Sequence, residues 1–145
     1  MLSKLECFLY GGQFRKLITK RHFAIQEKYD LQKIDIIILM YLSESKDKDT
    51  SKDIASLKLF TKSHVSQSLS KLLERGLIRI ETDKNDRRIS HNLLTESAFK
   101  LTEEIKASAR QILEDVLHGV TDEEREALNR IAEKISSNLD RELEE

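Results

Sequence analysis

Two stretches of the chain carry polar side chains whose types and spacing suit contact with a nucleic acid. In the first, hydroxyl, amide, imidazole and ammonium groups fall on the helix face opposite Val65 and Leu69. Groups of these types hydrogen bond to base edges and to phosphates in a major groove. We expect base-edge contacts from Ser63, His64, Ser66 and Gln67, and phosphate contacts from Thr61, Lys62 and Lys71.

The second stretch is the charged cluster Asp86, Arg87 and Arg88, in a polar segment between two apolar runs. A carboxylate two residues before an arginine in a hairpin can pair with the guanidinium and hold it in one orientation. An arginine held in this way suits insertion into a narrow, electronegative minor groove. We therefore expect Arg88, held by Asp86, to enter the minor groove and Arg87 to contact the backbone.

Two short helices must position the first stretch. Thr50 is a good N-cap and Asp53 completes a capping-box-like start, which predicts a helix from Ser51. A second helix is predicted to begin after Thr61 and to stop at Gly76, a residue that tolerates the left-handed conformation. The side chains expected to face the core are Ile54, Ala55 and Leu57 in the first helix and Val65, Leu69, Leu72 and Leu73 in the second.

A small hairpin must position the second stretch. Leu77, Ile78 and Ile80 form an apolar run, residues 82–86 form a polar turn, and residues 89–94 return as a second strand. Two helices followed by a hairpin with a basic tip form the outline of a winged helix-turn-helix, a DNA-binding module.

At these residues the chain closely resembles the MarR family of bacterial transcriptional regulators. The resemblance rests on the Leu-Glu-Arg-Gly-Leu-Ile segment at 73–78, on the wing at 83–88 with its Asp86 and Arg88, and on the Leu-Thr pair at 94–95. It implies a mainly α fold with a small β-hairpin wing, in the α+β class. Residues 31–95 would form the winged helix-turn-helix, and residues 1–30 and 96–145 the helical dimerisation region, within one compact chain.

The resemblance also implies a function. A protein of this kind binds double-stranded DNA as a homodimer at a pseudo-palindromic operator, and a repressor that responds to a small-molecule effector is the expected role. The effector is unknown, and it would lodge between the dimerisation helices and the DNA-binding region. The expected lining residues, each of which also fits an ordinary core position, are Phe14, Leu17, Arg21, Ile37, Met40, Tyr41 and Phe99.

The helices outside the hairpin carry more apolar surface than the DNA-binding region can cover. Residues 2–27 are predicted to form a first helix with Gly11 and Gly12 as its weak point, and the apolar run 34–42 a buried helix. Thr95 is a candidate N-cap for a long helix that Gly119 ends. A capping box at Thr121 and Glu124 predicts a last helix. Exposed apolar stripes would cause aggregation, so we expect a second copy of the chain to bury them.

Composition is that of one water-soluble globular domain. The 145 residues are 39% hydrophobic and 35% charged, with no Pro, and we find neither a signal peptide nor a membrane span, which predicts a cytoplasmic protein without membrane contact. The net charge of -1 is unevenly distributed. Residues 58–88 hold eight Lys and Arg against four Asp and Glu, whereas residues 89–145 hold seven against 14, so positive charge gathers on the region expected to meet phosphate.

Cys7 suggests an alternative form of regulation. The segment from Cys7 to Tyr10 resembles the Cys-Phe-x-x-Tyr start of the organic-hydroperoxide-sensing branch of the family, although the tyrosine comes one residue early. Oxidation of such a cysteine would release DNA, which requires a stabilised thiolate accessible to oxidant. The alternative is a cysteine that acts as a small apolar residue near a dimer interface.

Other classes of function have less support in the sequence. No catalytic constellation, phosphate-binding Gly-rich loop or His and Cys cluster of metal-ligand spacing is present, so we expect neither an enzyme nor a cofactor nor a metal. A winged helix can also bind proteins without touching DNA. Adjacent arginines at the wing tip favour DNA, because a protein-binding wing gains little from them.

Overall fold

A computed structural model describes residues 12–144 of the chain. The described part contains six helices and one two-stranded hairpin, and the chain divides after Ile112 into two compact units. In chain order the elements are α1 (Gln13–Tyr29), α2 (Lys33–Glu44), α3 (Ser51–Ala55), α4 (Lys62–Glu74), β1 (Ile78–Thr82), β2 (Ser90–Leu94), α5 (Glu96–Val116) and α6 (Asp122–Glu144). This helical architecture with a small hairpin confirms the predicted fold class.

Helix α1 differs from the first helix predicted from the sequence. A helix was expected over residues 2–27 with Gly12 in its interior, whereas α1 begins at Gln13, has Gly12 as its N-cap residue and ends at Tyr29. Asp30 ends the helix in the left-handed conformation, with φ at 50°. Residues 1–11 lie outside the described part of the chain, so a helix there stays a prediction.

Helix α2 is the buried helix expected from the apolar run. Ile38 and Leu39 are completely buried, and burial of such a side chain stabilises the fold by roughly 1.5–3 kcal/mol. The helix starts where Asp35, in its first turn, accepts a hydrogen bond from the backbone N–H of Gln32 at 2.7 Å. That contact satisfies one of the backbone donors that a helix start leaves without an internal partner.

Helix α3 has the predicted start but a shorter apolar face. Thr50 Oγ1 accepts from the N–H of Asp53 at 3.2 Å, and the N–H of Thr50 donates to Asp53 Oδ2 at 3.1 Å, which confirms the capping box. Ile54 is buried, whereas Leu57 is 38% exposed, so the predicted burial of Leu57 is wrong. The reason is that α3 ends at Ala55 and Lys58 turns the backbone away with a positive φ.

Helix α4 carries most of the polar side chains that the sequence predicts to contact DNA. Val65, Leu69 and Leu72 are buried as predicted, but Leu73 is 42% exposed and does not belong to the core face. Successive residues of a helix are about 100° apart, so Leu73 points away from the side on which Leu72 is buried. Gly76, with φ at 69°, follows the helix in the left-handed conformation, as predicted.

The hairpin that follows α4 has its base against the helices. β1 and β2 pair antiparallel in a register that runs from Ile78 opposite Leu94 to Thr82 opposite Ser90. Ile78 is buried, while Ile80 is 48% exposed because only the base of the hairpin meets the core. The core residues are Ile25, Leu31, Ile36, Ile38, Leu39, Leu42, Ile54, Val65, Leu69, Leu72, Ile78, Leu101 and Ile105.

The second unit, residues 113–145, holds the end of α5 and all of α6. Gly119, with φ at 81°, lies in the turn between α5 and α6. The N–H of Thr121 donates to Glu124 Oε2 at 2.8 Å and the N–H of Glu124 donates to Thr121 Oγ1 at 3.2 Å, which confirms the second capping box. Arg125 donates to Glu114 at 3.0 Å and so holds the pKa of that carboxyl below its usual value. None of the described helices has the length and apolar character needed to cross a membrane.

Candidate nucleic-acid interface

The recognition face is the solvent side of α4. Thr61 is the N-cap, and its hydroxyl accepts from the N–H of His64 at 3.2 Å. Polar side chains predicted to contact DNA are exposed along this side; they are Thr61, Lys62, Ser63, His64, Ser66 and Gln67. Because Val65 and Leu69 are buried on the opposite side, the helix cannot turn this polar face inward without exposing its apolar one.

Lys71 differs from the other predicted contacts. Its ammonium lies 3.1 Å from Asp35 Oδ2, and Asp35 is only 1% exposed. The same carboxylate accepts a hydrogen bond from the hydroxyl of Ser68, which is also buried. Lys71 thus pairs with a buried carboxylate in this conformation, and its phosphate contact stays a prediction.

Asp35 and Ser68 support the recognition face from inside the protein, and sequence reasoning did not identify them. They connect α2 to the inner side of α4 and so fix how the recognition face is presented. The signal in the sequence was an aspartate within the apolar run 34–42, because a buried carboxylate requires hydrogen-bond donors.

Arg75 connects the end of the recognition helix to α1. Its guanidinium donates to the carbonyl oxygens of Tyr29 and, at 2.7 Å, of Asp30, which are carbonyls at the end of α1. Tyr29 in turn donates its hydroxyl to Glu104 on α5, and Lys28 pairs with the same carboxylate at 3.1 Å. These hydrogen bonds from Tyr29 and Lys28 lower the pKa of Glu104. A continuous polar connection therefore runs from α4 through α1 to α5.

The wing tip has the geometry expected of Asp86 and Arg88. Arg88 Nε lies 3.1 Å from Asp86 Oδ1 and its Nη2 lies 3.2 Å from Asp86 Oδ2, a two-pronged pair. The hydrogen bonds from Arg88 hold the pKa of the Asp86 carboxyl below its usual value. The Arg88 side chain is 91% exposed, so its direction is fixed at its base while its outer face stays accessible. Arg87 beside it is also exposed.

Asp83 shapes the turn that carries this tip. Its Oδ1 accepts from the N–H groups of Asn85 and Asp86, both at 2.8 Å, in the manner of an Asx turn. Its other oxygen lies 2.9 Å from His91 Nε2. His91 and these N–H donors lower the pKa of Asp83 to about 2. In the sequence His91 does not belong to any cluster of charged residues, but the fold brings it to a carboxylate across the hairpin.

The chain is similar in sequence to known proteins. The model of the MarR family matches residues 29–89, which run from the end of α1 to the wing. The HTH-type transcriptional regulator SarZ of Staphylococcus haemolyticus is 26% identical over 140 residues, 96% of this chain and 92% of SarZ. Residues 29–89 are therefore similar to the MarR family, and the chain as a whole is similar to a transcriptional regulator.

Solved protein structures share the fold. The transcriptional regulator PA3341 superposes with a TM-score of 0.76 at 25% identity, over 88% of this chain and 90% of that protein. MepR of S. aureus, in a complex with DNA, superposes with a TM-score of 0.74 at 23% identity, over 95% of this chain and 99% of MepR. At that identity the MepR match supports the fold alone.

The residues expected to line an effector pocket, as the MarR resemblance implies, differ in how far they are buried. Met40 and Tyr41 pack against the main core, and Tyr41 also lines a cleft of about 440 Å³ with residues 44–48. Phe14 and Phe99 are 45% and 65% exposed. Leu17 and Ile37 are half-buried, and Arg21 is exposed. An effector pocket at these residues stays a prediction.

Two further predictions concern a redox-active cysteine and a metal site. Cys7 lies outside the described residues, so its redox role stays a prediction. Within residues 12–144, no group of three or more His, Cys, Asp and Glu side chains is arranged to hold a metal ion.

Proposed function

We propose that this protein is a MarR-type transcriptional regulator that binds double-stranded DNA as a homodimer. The α4 face of each copy enters a major groove, and Arg88 enters the neighbouring minor groove. A small-molecule effector alters the affinity, and repression is the regulatory outcome. Acting on DNA in this way, the protein would work in the bacterial cytoplasm.

The observation that carries the proposal is the combination of an exposed polar helix face with an oriented arginine on the same module. Minor grooves attract cationic side chains, and an arginine held by Asp86 loses little further conformational freedom on insertion. A wing used to bind proteins would gain little from a guanidinium that is 91% exposed in this position. DNA binding therefore accounts for the arginine better than protein docking does.

The homodimer is supported by apolar side chains in the second unit. Six of them are 44–84% exposed in the single chain: Leu113, Val116, Leu128, Ile131, Leu139 and Leu143. Apolar surface of this kind is normally covered by a partner. A two-fold dimer would present two α4 faces, and a spacing of about 34 Å would match successive turns of a pseudo-palindromic site.

Selection of genomic DNA fragments by the purified protein, followed by binding measurements on the selected site, tests DNA binding directly. We expect Arg88→Ala to weaken binding about 5- to 150-fold, because a groove contact by arginine contributes roughly 1–3 kcal/mol. Affinity should also fall by orders of magnitude between about 50 and 200 mM salt if six or more phosphates are contacted.

Lys46→Ala provides the matched control, because it removes one positive charge from the exposed loop before α3 and should leave affinity unchanged. Equal binding by wild type and Arg88→Ala would show that the wing does not contact DNA. Failure to select any DNA, together with capture of a protein through the wing, would favour the interaction-module alternative.

A further inference from the structure

His91 occupies a position between two carboxylates at the base of the wing. It lies on β2 and is 27% exposed. Its Nδ1 is 2.6 Å from Asp49 Oδ1 and its Nε2 is 2.9 Å from Asp83 Oδ2. Ionised carboxylates only accept hydrogen bonds, so both ring nitrogens must donate, which requires the imidazolium form. A single cation thus joins two segments that are 34 residues apart in the sequence.

Asp49 links His91 to the helix-turn-helix. It is 6% exposed and directly precedes Thr50, the N-cap of α3. Its carbonyl oxygen accepts from both the backbone N–H and the side-chain amide of Asn92, at 3.1 and 2.8 Å. Asn92 is itself buried, so the Asp49 end of the contact is held by the folded body of the module.

Asp83 attaches the other end to the wing turn. One of its oxygens organises the turn through Asn85 and Asp86, and the other faces His91. The N–H of Asp83 also donates to the carbonyl oxygen of Ile89 at 2.9 Å, which closes the turn. Because Asp86 orients Arg88, a displacement of Asp83 would move the arginine with it.

We propose that His91 is a positioning residue that, through Asp49 and Asp83, fixes the angle of the wing against the helix-turn-helix and so aims Arg88. This contact, which we call the wing latch (Asp49, His91 and Asp83), rests on the proposed DNA binding for its function. Without it, a two-stranded hairpin would have little to restrain its tip, because such hairpins are marginally stable alone.

The charged groups around the imidazole favour its cationic form. Glu81 stands opposite His91 in the strand register, and Arg79 engages that carboxylate. Asp83 and then Asp49 raise the pKa of His91 to about 9, against desolvation that acts in the other direction. On the Asp49 side the titratable neighbours are Tyr41, whose pKa is raised chiefly by burial, and Asp53. Asp86 is the next carboxylate along the turn and is paired with Arg88.

The pH range of the wing latch follows from these shifts. Because the pKa of His91 is raised, its protonation stabilises the folded arrangement fully when the pH is below the ordinary histidine pKa of 6.5. This stabilisation is lost as the pH rises through about 9. Because the pKa of Asp83 is lowered, its ionised carboxylate stabilises the folded arrangement when the pH is above the ordinary aspartate pKa of 3.8. This stabilisation is lost as the pH falls through about 2. The latch is therefore closed at neutral pH and opens in alkaline solution.

The first test needs no DNA. NMR titration of the imidazole carbons should show His91 with a pKa near 9 in the wild type. In Asp83→Asn the pKa should move towards 6.5, because the amide still accepts from the turn N–H groups but no longer faces the ring with a negative charge. A value near 6.5 in the wild type would overturn the latch.

The second test measures DNA affinity in a double-mutant cycle. His91→Gln and, separately, Asp83→Asn should each weaken DNA binding about 3- to 10-fold when Arg88 is present. When Arg88 is already alanine, each change should weaken binding less than about 2-fold, because the effects of residues that act through one another are not additive. Wild-type binding should also weaken as the pH rises through about 9, while His91→Gln should show no such step.

His118→Gln is the matched control, since it makes the same change at an exposed histidine between α5 and α6 and should leave affinity unaltered. Equal weakening by His91→Gln with and without Arg88 would overturn the positioning role. If the wild type bound no DNA while the titration showed the raised pKa, the proposed function would fail and the latch itself would stand.

Discussion

The carboxylate of Asp35 accepts hydrogen bonds from three directions inside the helix-turn-helix. Its donors are the backbone N–H of Gln32 at 2.7 Å, the ammonium of Lys71 at 3.1 Å and the hydroxyl of Ser68. A buried charge is costly unless it is fully paired, and here three donors from two elements pair it. The position of the recognition helix therefore depends on one side chain that DNA would never touch.

We expect Asp35→Ala to lower the free energy of unfolding by about 2–4 kcal/mol, because Ser68 would keep a buried, unpaired hydroxyl and α2 would lose its cap. Urea unfolding, monitored by circular dichroism, would measure the loss of stability. Asp47→Ala, in the exposed loop before α3, removes the same group and should change stability by less than about 0.5 kcal/mol. Equal stabilities of the two variants would contradict the role given to Asp35.

At the scale of the elements, Gly76 decides how the recognition helix passes into the wing. Its φ of 69° is in the left-handed region, and its carbonyl oxygen accepts from the hydroxyls of Thr95 at 2.6 Å and Ser97 at 2.9 Å. The Thr95 hydroxyl, predicted as a helix cap, thus holds the start of α5 to the end of α4. The ends of α4, β1 and β2 meet at this one turn.

Gly76→Ala should cost about 1 kcal/mol, because a Cβ disfavours positive φ, while the space around the position is open. The matched control is Gly12→Ala, where φ is −87° and the space is also open, so no loss of this kind is expected. Thermal unfolding of both variants would measure the difference. A Gly76→Ala protein as stable as the Gly12→Ala protein would exclude backbone strain as the reason for the glycine.

At the scale of the whole molecule, regulation would depend on how two copies associate. Polar contacts join α4 to α1 through Arg75 and α1 to α5 through Tyr29 and Glu104. A change in the packing of the long helices could therefore reach the recognition helix within the same chain. A dimer makes such a change effective, because two recognition helices must fit the DNA at once.

Ile131→Glu should convert the proposed dimer to a monomer, because it replaces an apolar side chain that is 53% exposed in the single chain with a charged one. Analytical ultracentrifugation would measure the mass, and DNA affinity at a two-half-site operator should fall with it. Asn129→Glu adds the same charge at an exposed polar position of α6 and should remain dimeric. A wild-type chain that sediments as a monomer would remove the basis for two-site binding.

The sequence by itself determined the parts of this protein that depend on local interactions. The capping boxes at Thr50 and Thr121, the left-handed Gly76 and the Asp86 and Arg88 pair each involve residues within a few positions of one another. Local chemistry of this kind is readable from spacing because the chain brings the partners together whatever the rest of the fold does.

Only the tertiary structure decided which distant groups meet. Ser68 pairs with Asp35, 33 residues away, and His91 pairs with Asp49, 42 residues away. It also decided that Leu57 and Leu73, although apolar, lie largely outside the core. The physical reason is that such contacts depend on how the helices and the hairpin pack in three dimensions, and a periodic pattern gives the face of one element but not its partner.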